Sequence, residues 1–169
     1  AYTRVPLCID ASSSQVYKAD TGRYVCRDKY YGRGLDKAGV VDCLHTFLHN
    51  GHRFSQELIR PILSRLRKLW HVISQQNTFR FYSSSLLIMY DGVDEALPLG
   101  CDHGVDEEPL EECATCARVD VRMIDFAHVT HQGFRNDRTV HQGPDGGYLL
   151  GLNNLVLFFE QLLCEYSSH

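Results

Sequence analysis

The run Val121-Arg122-Met123-Ile124-Asp125-Phe126-Ala127-His128 ends an alternating polar and apolar segment on a carboxylate. An aspartate just past a buried strand can reach into a cleft while its backbone stays rigid. Mg²⁺ takes hard oxygen ligands, usually one or two carboxylates together with substrate phosphates. Phosphoryl-transfer sites hold the bridging metal in this way. A purely structural aspartate fits the same local pattern. A second stretch, Ser83-Ser84-Ser85-Leu86-Leu87, sets three hydroxyls in a strand-like context. They read either as the wet face of a sheet or as hydroxyls aimed at phosphate or metal-bound water. A third, Arg27-Asp28-Lys29-Tyr30-Tyr31-Gly32-Arg33-Gly34, sets cations and aromatics beside glycines. Arg offers a fork and Lys a point charge to a phosphate. An exposed basic turn is the competing reading.

These residues need elements to hold them. Residues 15–30 read as a hairpin around Ala19-Asp20-Thr21-Gly22, with glycine where a positive φ is wanted. Residues 36–49 predict a short helix with Asp36 as N-cap and a stripe of Val40, Val41, Leu44, Phe47 and Leu48, ended by Asn50-Gly51. Residues 56–76 carry Ile59, Ile62, Leu63, Leu66, Leu69, Trp70 and Ile73 on one helical face. Pro61 either starts the regular part of this helix or kinks it. Its other sides bear Arg60, Arg65, Arg67 and Lys68, read as a solvated face or as a phosphate-binding one. Residues 79–90 predict one strand, 118–126 another, and 127–146 an irregular polar loop. Pro144-Asp145-Gly146-Gly147 introduces a last helix over 147–166, with Leu149, Leu152, Leu155, Val156, Phe159, Leu162 and Leu163 buried.

The 169 residues suffice for one domain with a core, 1–169, and no unbroken apolar run reaches the roughly 18 residues that cross a bilayer. The chain opens at Ala1 without a positive-then-apolar leader, as a piece of a longer protein would. Seven cysteines, an odd number with irregular spacing, argue for reduced thiols and a cytoplasmic or nuclear setting. Residues 1–91 carry net charge +6 and residues 92–169 net −10. The basic half favours an anionic ligand. The acidic excess gathers in a loop over 92–117. That loop holds Cys101, His103, Cys113 and Cys116, whose types also suit zinc.

Several stretches together resemble the inositol polyphosphate kinase superfamily, and within it the inositol hexakisphosphate kinases. They are Val119 through His128, Gly133-Phe134-Arg135, Thr139-Val140-His141 through Gly143-Pro144-Asp145, Gly147-Tyr148 and Gly151-Leu152. Lys29-Tyr30-Tyr31-Gly32-Arg33-Gly34-Leu35 and Tyr82-Ser83-Ser84-Ser85-Leu86-Leu87 belong to the same branch, and the matching segments run in order from about Val16 to Glu160. The resemblance implies an α+β fold, the C-terminal lobe of a two-lobed kinase-like architecture. It implies transfer of the ATP γ-phosphoryl group to inositol hexakisphosphate, making a diphosphoinositol phosphate, with Mg²⁺ as cofactor. It implies Asp125 as the catalytic metal ligand and Ser85 beside the metal and nucleotide phosphates. Lys29, Arg33 and His128 are implied on the substrate side, and the 92–117 loop as a variable insert.

The family's Pro-x-x-x-Asp-x-Lys-x-Gly segment has no counterpart here, since neither Asp28-Lys29 nor Asp36-Lys37 has that setting. Gln142 stands where the branch usually has Asp, Arg138 where Pro is usual, and His131-Gln132 is atypical. The alternative is therefore a catalytically incomplete fragment that binds inositol phosphate or a protein. Nucleic acid is disfavoured as a partner by the acidic balance and the lack of a binding motif.

Overall fold

The computed structural model describes residues 2–7, 14–92, 118–134 and 139–167. The acidic segment 93–117, with the four candidate zinc ligands, lies outside them. In chain order the elements are β1 (Tyr2–Leu7), β2 (Ser14–Lys18), β3 (Arg23–Arg27), α1 (Lys29–Arg33) and α2 (Lys37–Leu48). Then follow α3 (Ile59–Ser74), β4 (Arg80–Tyr82), β5 (Ser85–Asp91), β6 (Val119–Ile124), β7 (His128–Thr130) and α4 (Gly146–Ser167).

Five strands form an antiparallel sheet in the order β3-β2-β1-β5-β6, and β4 and β7 form a separate two-stranded ribbon. The predicted hairpin is β2–β3, with Val16 opposite Val25 and the Tyr17 and Tyr24 rings edge to face at 5.3 Å. β1 was not legible in the sequence, because a six-residue strand containing Pro6 lacks a clean alternation.

One face of the sheet is the core. Val16, Leu86, Ile88, Tyr90 and Val119 are buried there with Leu44, Phe47 and Leu48 of α2, Ile59, Ile62, Leu63 and Leu66 of α3, and Leu152, Leu155, Phe159 and Leu162 of α4. α2 starts where expected, on the Asp36 carboxylate, which accepts from Gly39 N at 2.8 Å. Lys18 closes its other end by donating from Nζ to the carbonyls of Thr46 and His49. That meets the unpaired carbonyls of a helix C-terminus with a cation. Burial lowers the Lys18 pKa from its ordinary value. α3 is entered through a tight turn at Gln56–Leu58, so Pro61 falls in the first helical turn, where its missing N–H has no partner to lose.

The last helix is long and apolar enough to cross a membrane by length and composition alone. Its packing against α3 and α2 accounts for the apolar stripe on one side, whereas Leu150 and Leu157 on the other are 62% and 52% exposed. Trp70, in the predicted stripe of α3, is likewise 40% exposed. Arg67, one of the cations flanking that stripe, pairs with Glu160 of α4 at 2.6 Å.

The turn after α2 depends on Gly51. Its φ is +101°, and a Cβ there would lie 2.3 Å from Asp20 Oδ1. Gly51→Ala is expected to destabilise the chain by about 1–3 kcal/mol through backbone strain and this clash. Urea unfolding of the two proteins measures it, and an unchanged midpoint would show that the turn relaxes freely.

Candidate functional site

Strand direction decides which loops meet. β5 and β6 are antiparallel, so the start of β5 at Ser85 lies opposite the end of β6 at Ile124. β1 pairs antiparallel to β5 with Leu7 opposite Leu86, and β3 pairs with β2 with Arg27 opposite Ser14. The end of β3, the start of β5 and the end of β6 therefore share one edge of the sheet. α1 follows β3 directly, and Asp125 follows β6 directly. From β3 to β6 is four strand spacings, roughly 19 Å. The fold thus gathers along that edge four of the five residues singled out in the sequence: Lys29 and Arg33 at the two ends of α1, Ser85, and Asp125. His128 lies three residues on, at the start of β7.

The predicted single strand over 79–90 is broken in two. Ser85 faces Ile124 in one ladder and Tyr82 faces His128 in the other. Between those rungs lie two residues on one strand, Ser83 and Ser84, and three on the other, Asp125, Phe126 and Ala127. The extra residue is a bulge, which re-aims side chains beyond it and bends the ribbon. Both strands turn through a positive φ at this point, 54° at Ser83 and 62° at Asp125. Aspartate tolerates the left-handed region better than most residues. The bulge also corrects the reading of 127–146 as irregular throughout, since His128–Thr130 forms β7.

The wet-face reading of the serines does not hold. Ser83 alone is exposed, while Ser84 and Ser85 are 6% and 2% exposed. The turn at Ser83 swings its successors inward, and the Ser84 hydroxyl donates to the carbonyl of Phe81 at 2.8 Å. Asp125, by contrast, is exposed, and its carboxylate makes no ion pair and accepts no hydrogen bond among the described residues. No cluster of three or more His, Cys, Asp or Glu suited to a metal occurs among them either. One open carboxylate beside a buried hydroxyl fits an ion that draws most of its oxygens from phosphates and water, as Mg²⁺ does.

The basic segment is ordered as well. Asp28 caps α1 by accepting from Tyr30 N and Tyr31 N. Arg27 lies over the Tyr31 ring, 4.4 Å from its centroid, and donates to the Tyr31 hydroxyl at 2.6 Å. It also reaches the Cys43 thiol of α2, whose pKa is raised by burial despite the guanidinium beside it. Arg27 therefore ties α1 to the sheet and to α2, a role the sequence did not disclose.

The ribbon is held from the other side. Asp145 accepts from Tyr148 N at 3.0 Å as the cap of α4, and from Phe81 N of β4 at 2.8 Å. Arg80 donates to the carbonyls of Phe79, Gly143 and Gln142. His131, atypical in the sequence, sits between the rings of Phe79 and Phe134, at 5.1 and 5.3 Å.

The outer face of the sheet near this edge mixes apolar and charged side chains, with Arg122 opposite Leu87 and Asp120 opposite Met89. Leu87 and Met89 of β5 and Ile124 of β6 alternate away from the core set, are half-buried, and lie outside the core cluster.

The sequence profile of the inositol polyphosphate kinase family matches residues 2–160. Inositol hexakisphosphate kinase 1 of Mus musculus is 46% identical over 180 residues, covering 96% of this chain and 42% of that protein. Inositol hexakisphosphate kinase 3 of Homo sapiens is 44% identical over 153 residues, covering 88% and 37%. The chain thus spans about two-fifths of the length of the curated relatives it matches. Among solved structures, an inositol phosphate multikinase aligns with a TM-score of 0.65 at 21% identity, covering 89% of this chain and 60% of that one. The multikinase Ipk2 of S. cerevisiae, in complex with ADP and Mn²⁺, aligns with a TM-score of 0.59 at 22% identity, covering 88% and 55%. These two similarities concern the fold.

Proposed function

This chain belongs to the inositol polyphosphate kinase family, and from that premise we propose that it is the C-terminal, metal- and substrate-binding portion of an inositol hexakisphosphate kinase. The reaction moves the ATP γ-phosphoryl group onto a phosphate of inositol hexakisphosphate, forming a diphosphoinositol phosphate. The observation that carries this reading is the gathering of Asp125, Ser85 and the α1 cations along one edge of the sheet, with His128 beginning the adjoining ribbon.

The acceptor is already a phosphate, so it needs little help from a strong base. Positioning and charge neutralisation dominate the barrier. Lys29, Arg33 and His128 hold the acceptor from the α1 side and from the ribbon. Asp125 would hold Mg²⁺, which supplies positive charge between the two anions. Ser85, fixed by burial, offers a hydroxyl beside them. The apolar side chains of Leu87, Met89 and Ile124, interleaved with Asp120 and Arg122, run into this edge and suit one face of an adenine ring. The other side of the nucleotide site falls to the part of such a kinase beyond this chain, as does the missing Pro-x-x-x-Asp-x-Lys-x-Gly segment. A cytoplasmic or nuclear setting belongs to the same reading.

Calorimetric titration of inositol hexakisphosphate into the 169-residue chain, in parallel with ATP and Mg²⁺, tests it. The expected result is saturable binding of the inositol phosphate that weakens about tenfold in Lys29→Ala and in His128→Ala, the size of one charged hydrogen bond. A folded chain that binds none would overturn the substrate-site reading.

A further inference from the structure

The bulge leaves one aromatic residue in a position that the reading above does not use. In the β4–β7 ribbon Phe81 turns to the core, where its ring meets Tyr148 at 5.5 Å. Its neighbour Tyr82 must therefore turn outward, and its cross-strand partner is His128. Side chains directly opposite in an antiparallel pair share a face, with Cβ atoms about 4.5–5.5 Å apart. Tyr82 is 53% exposed, and its hydroxyl has no hydrogen-bond partner among the described residues. It is also rigidly carried. Arg80 and Phe81, the two residues before it, are fastened to the 142–145 segment through the Gly143 and Gln142 carbonyls and the Asp145 carboxylate. A large exposed ring on a pinned strand, one rung from the bulge that bears Asp125, costs little entropy to use in binding.

Building on the substrate site proposed above, we propose that Tyr82 is a further substrate-contacting residue. Its phenol O–H donates a hydrogen bond to a phosphate oxygen of the inositol phosphate held beside His128. A phenol adds a neutral donor of fixed direction to a site whose other proposed members are the basic residues Lys29, Arg33 and His128. It therefore contributes more to the choice and orientation of the inositol phosphate than to bulk attraction for anions. It does so without raising the positive charge that already faces the substrate.

Tyr82→Phe removes only the hydroxyl and leaves the exposed ring, so the fold is retained. In titrations of inositol hexakisphosphate into the chain, Tyr82→Phe is expected to weaken binding about tenfold, the loss of one hydrogen bond to a charged acceptor. Its affinity for ATP with Mg²⁺ and its thermal midpoint are expected to match those of the parent. Because the donor is neutral, the salt dependence of binding should also be unchanged, whereas Lys29→Ala should flatten it. If the parent chain binds and Tyr82→Phe binds equally well, this inference fails while the kinase reading stands. If the folded parent binds no inositol phosphate, the substrate-site reading fails and this assignment falls with it.

Discussion

Asp125→Asn is expected to abolish phosphoryl transfer by the intact enzyme while leaving its stability unchanged. The loss in kcat should be at least about 10²–10³-fold, close to 3 kcal/mol or more, the scale of a removed electrostatic group in a preorganised site. Asparagine keeps the shape of the side chain and also tolerates a positive φ, so the 62° backbone at this position need not move. What disappears is the negative charge that would hold the cation. Because Asp125 is exposed and makes no ion pair among the described residues, the thermal midpoint should stay within the narrow range of neutral surface substitutions. Product formation from labelled ATP, measured beside a melting curve, separates the two effects. Near-parental turnover in a folded Asp125→Asn enzyme would remove Asp125 from the mechanism.

Phe159→Ala should produce the largest loss of stability. The Phe159 ring is fully buried in the core, on the helix that packs against α3 and α2. Removing it costs the transfer free energy of the ring and leaves a cavity, together about 3–5 kcal/mol. In a chain of this size that lowers the melting midpoint by roughly 10 °C. Leu157→Ala, two residues earlier on the same helix, is the internal control. Its side chain is 52% exposed, so its cost should stay within about 0.5 kcal/mol. Equal losses in the two variants would mean that α4 is rotated about its axis relative to this structure.

That pair of residues also marks where reading the sequence stopped. Of the seven residues whose spacing predicts a buried face on the last helix, the structure buries Leu152, Leu155, Phe159 and Leu162 and leaves Leu149, Val156 and Leu163 half-buried. The same spacing included Trp70 in the buried stripe of α3, yet its ring is 40% exposed. Periodicity says which residues share a side of a helix. It does not say how far along that side a neighbouring element reaches.

The chemistry-bearing residues divide along similar lines. Asp125, Ser85, Lys29, Arg33 and His128 were found from short motifs and a family resemblance, each in its own segment of the chain. The hairpin, both long helices and the capping role of Asp36 were legible because turns, caps and helical stripes are local signals, written within a few residues of where they act. Only the tertiary structure decided that β1 lies at the centre of the sheet, and that strand directions bring the end of β3, the start of β5 and the end of β6 to one edge. The break at Ser83 and the extra residue at Asp125–Ala127 were likewise invisible, because a bulge is defined by the register of two strands, and register depends on the partner strand. The Tyr82–His128 rung, the link of Arg27 to Tyr31 and Cys43, and the hold of Asp145 on β4 follow from it. They join residues distant in the chain, and no local propensity encodes such a contact.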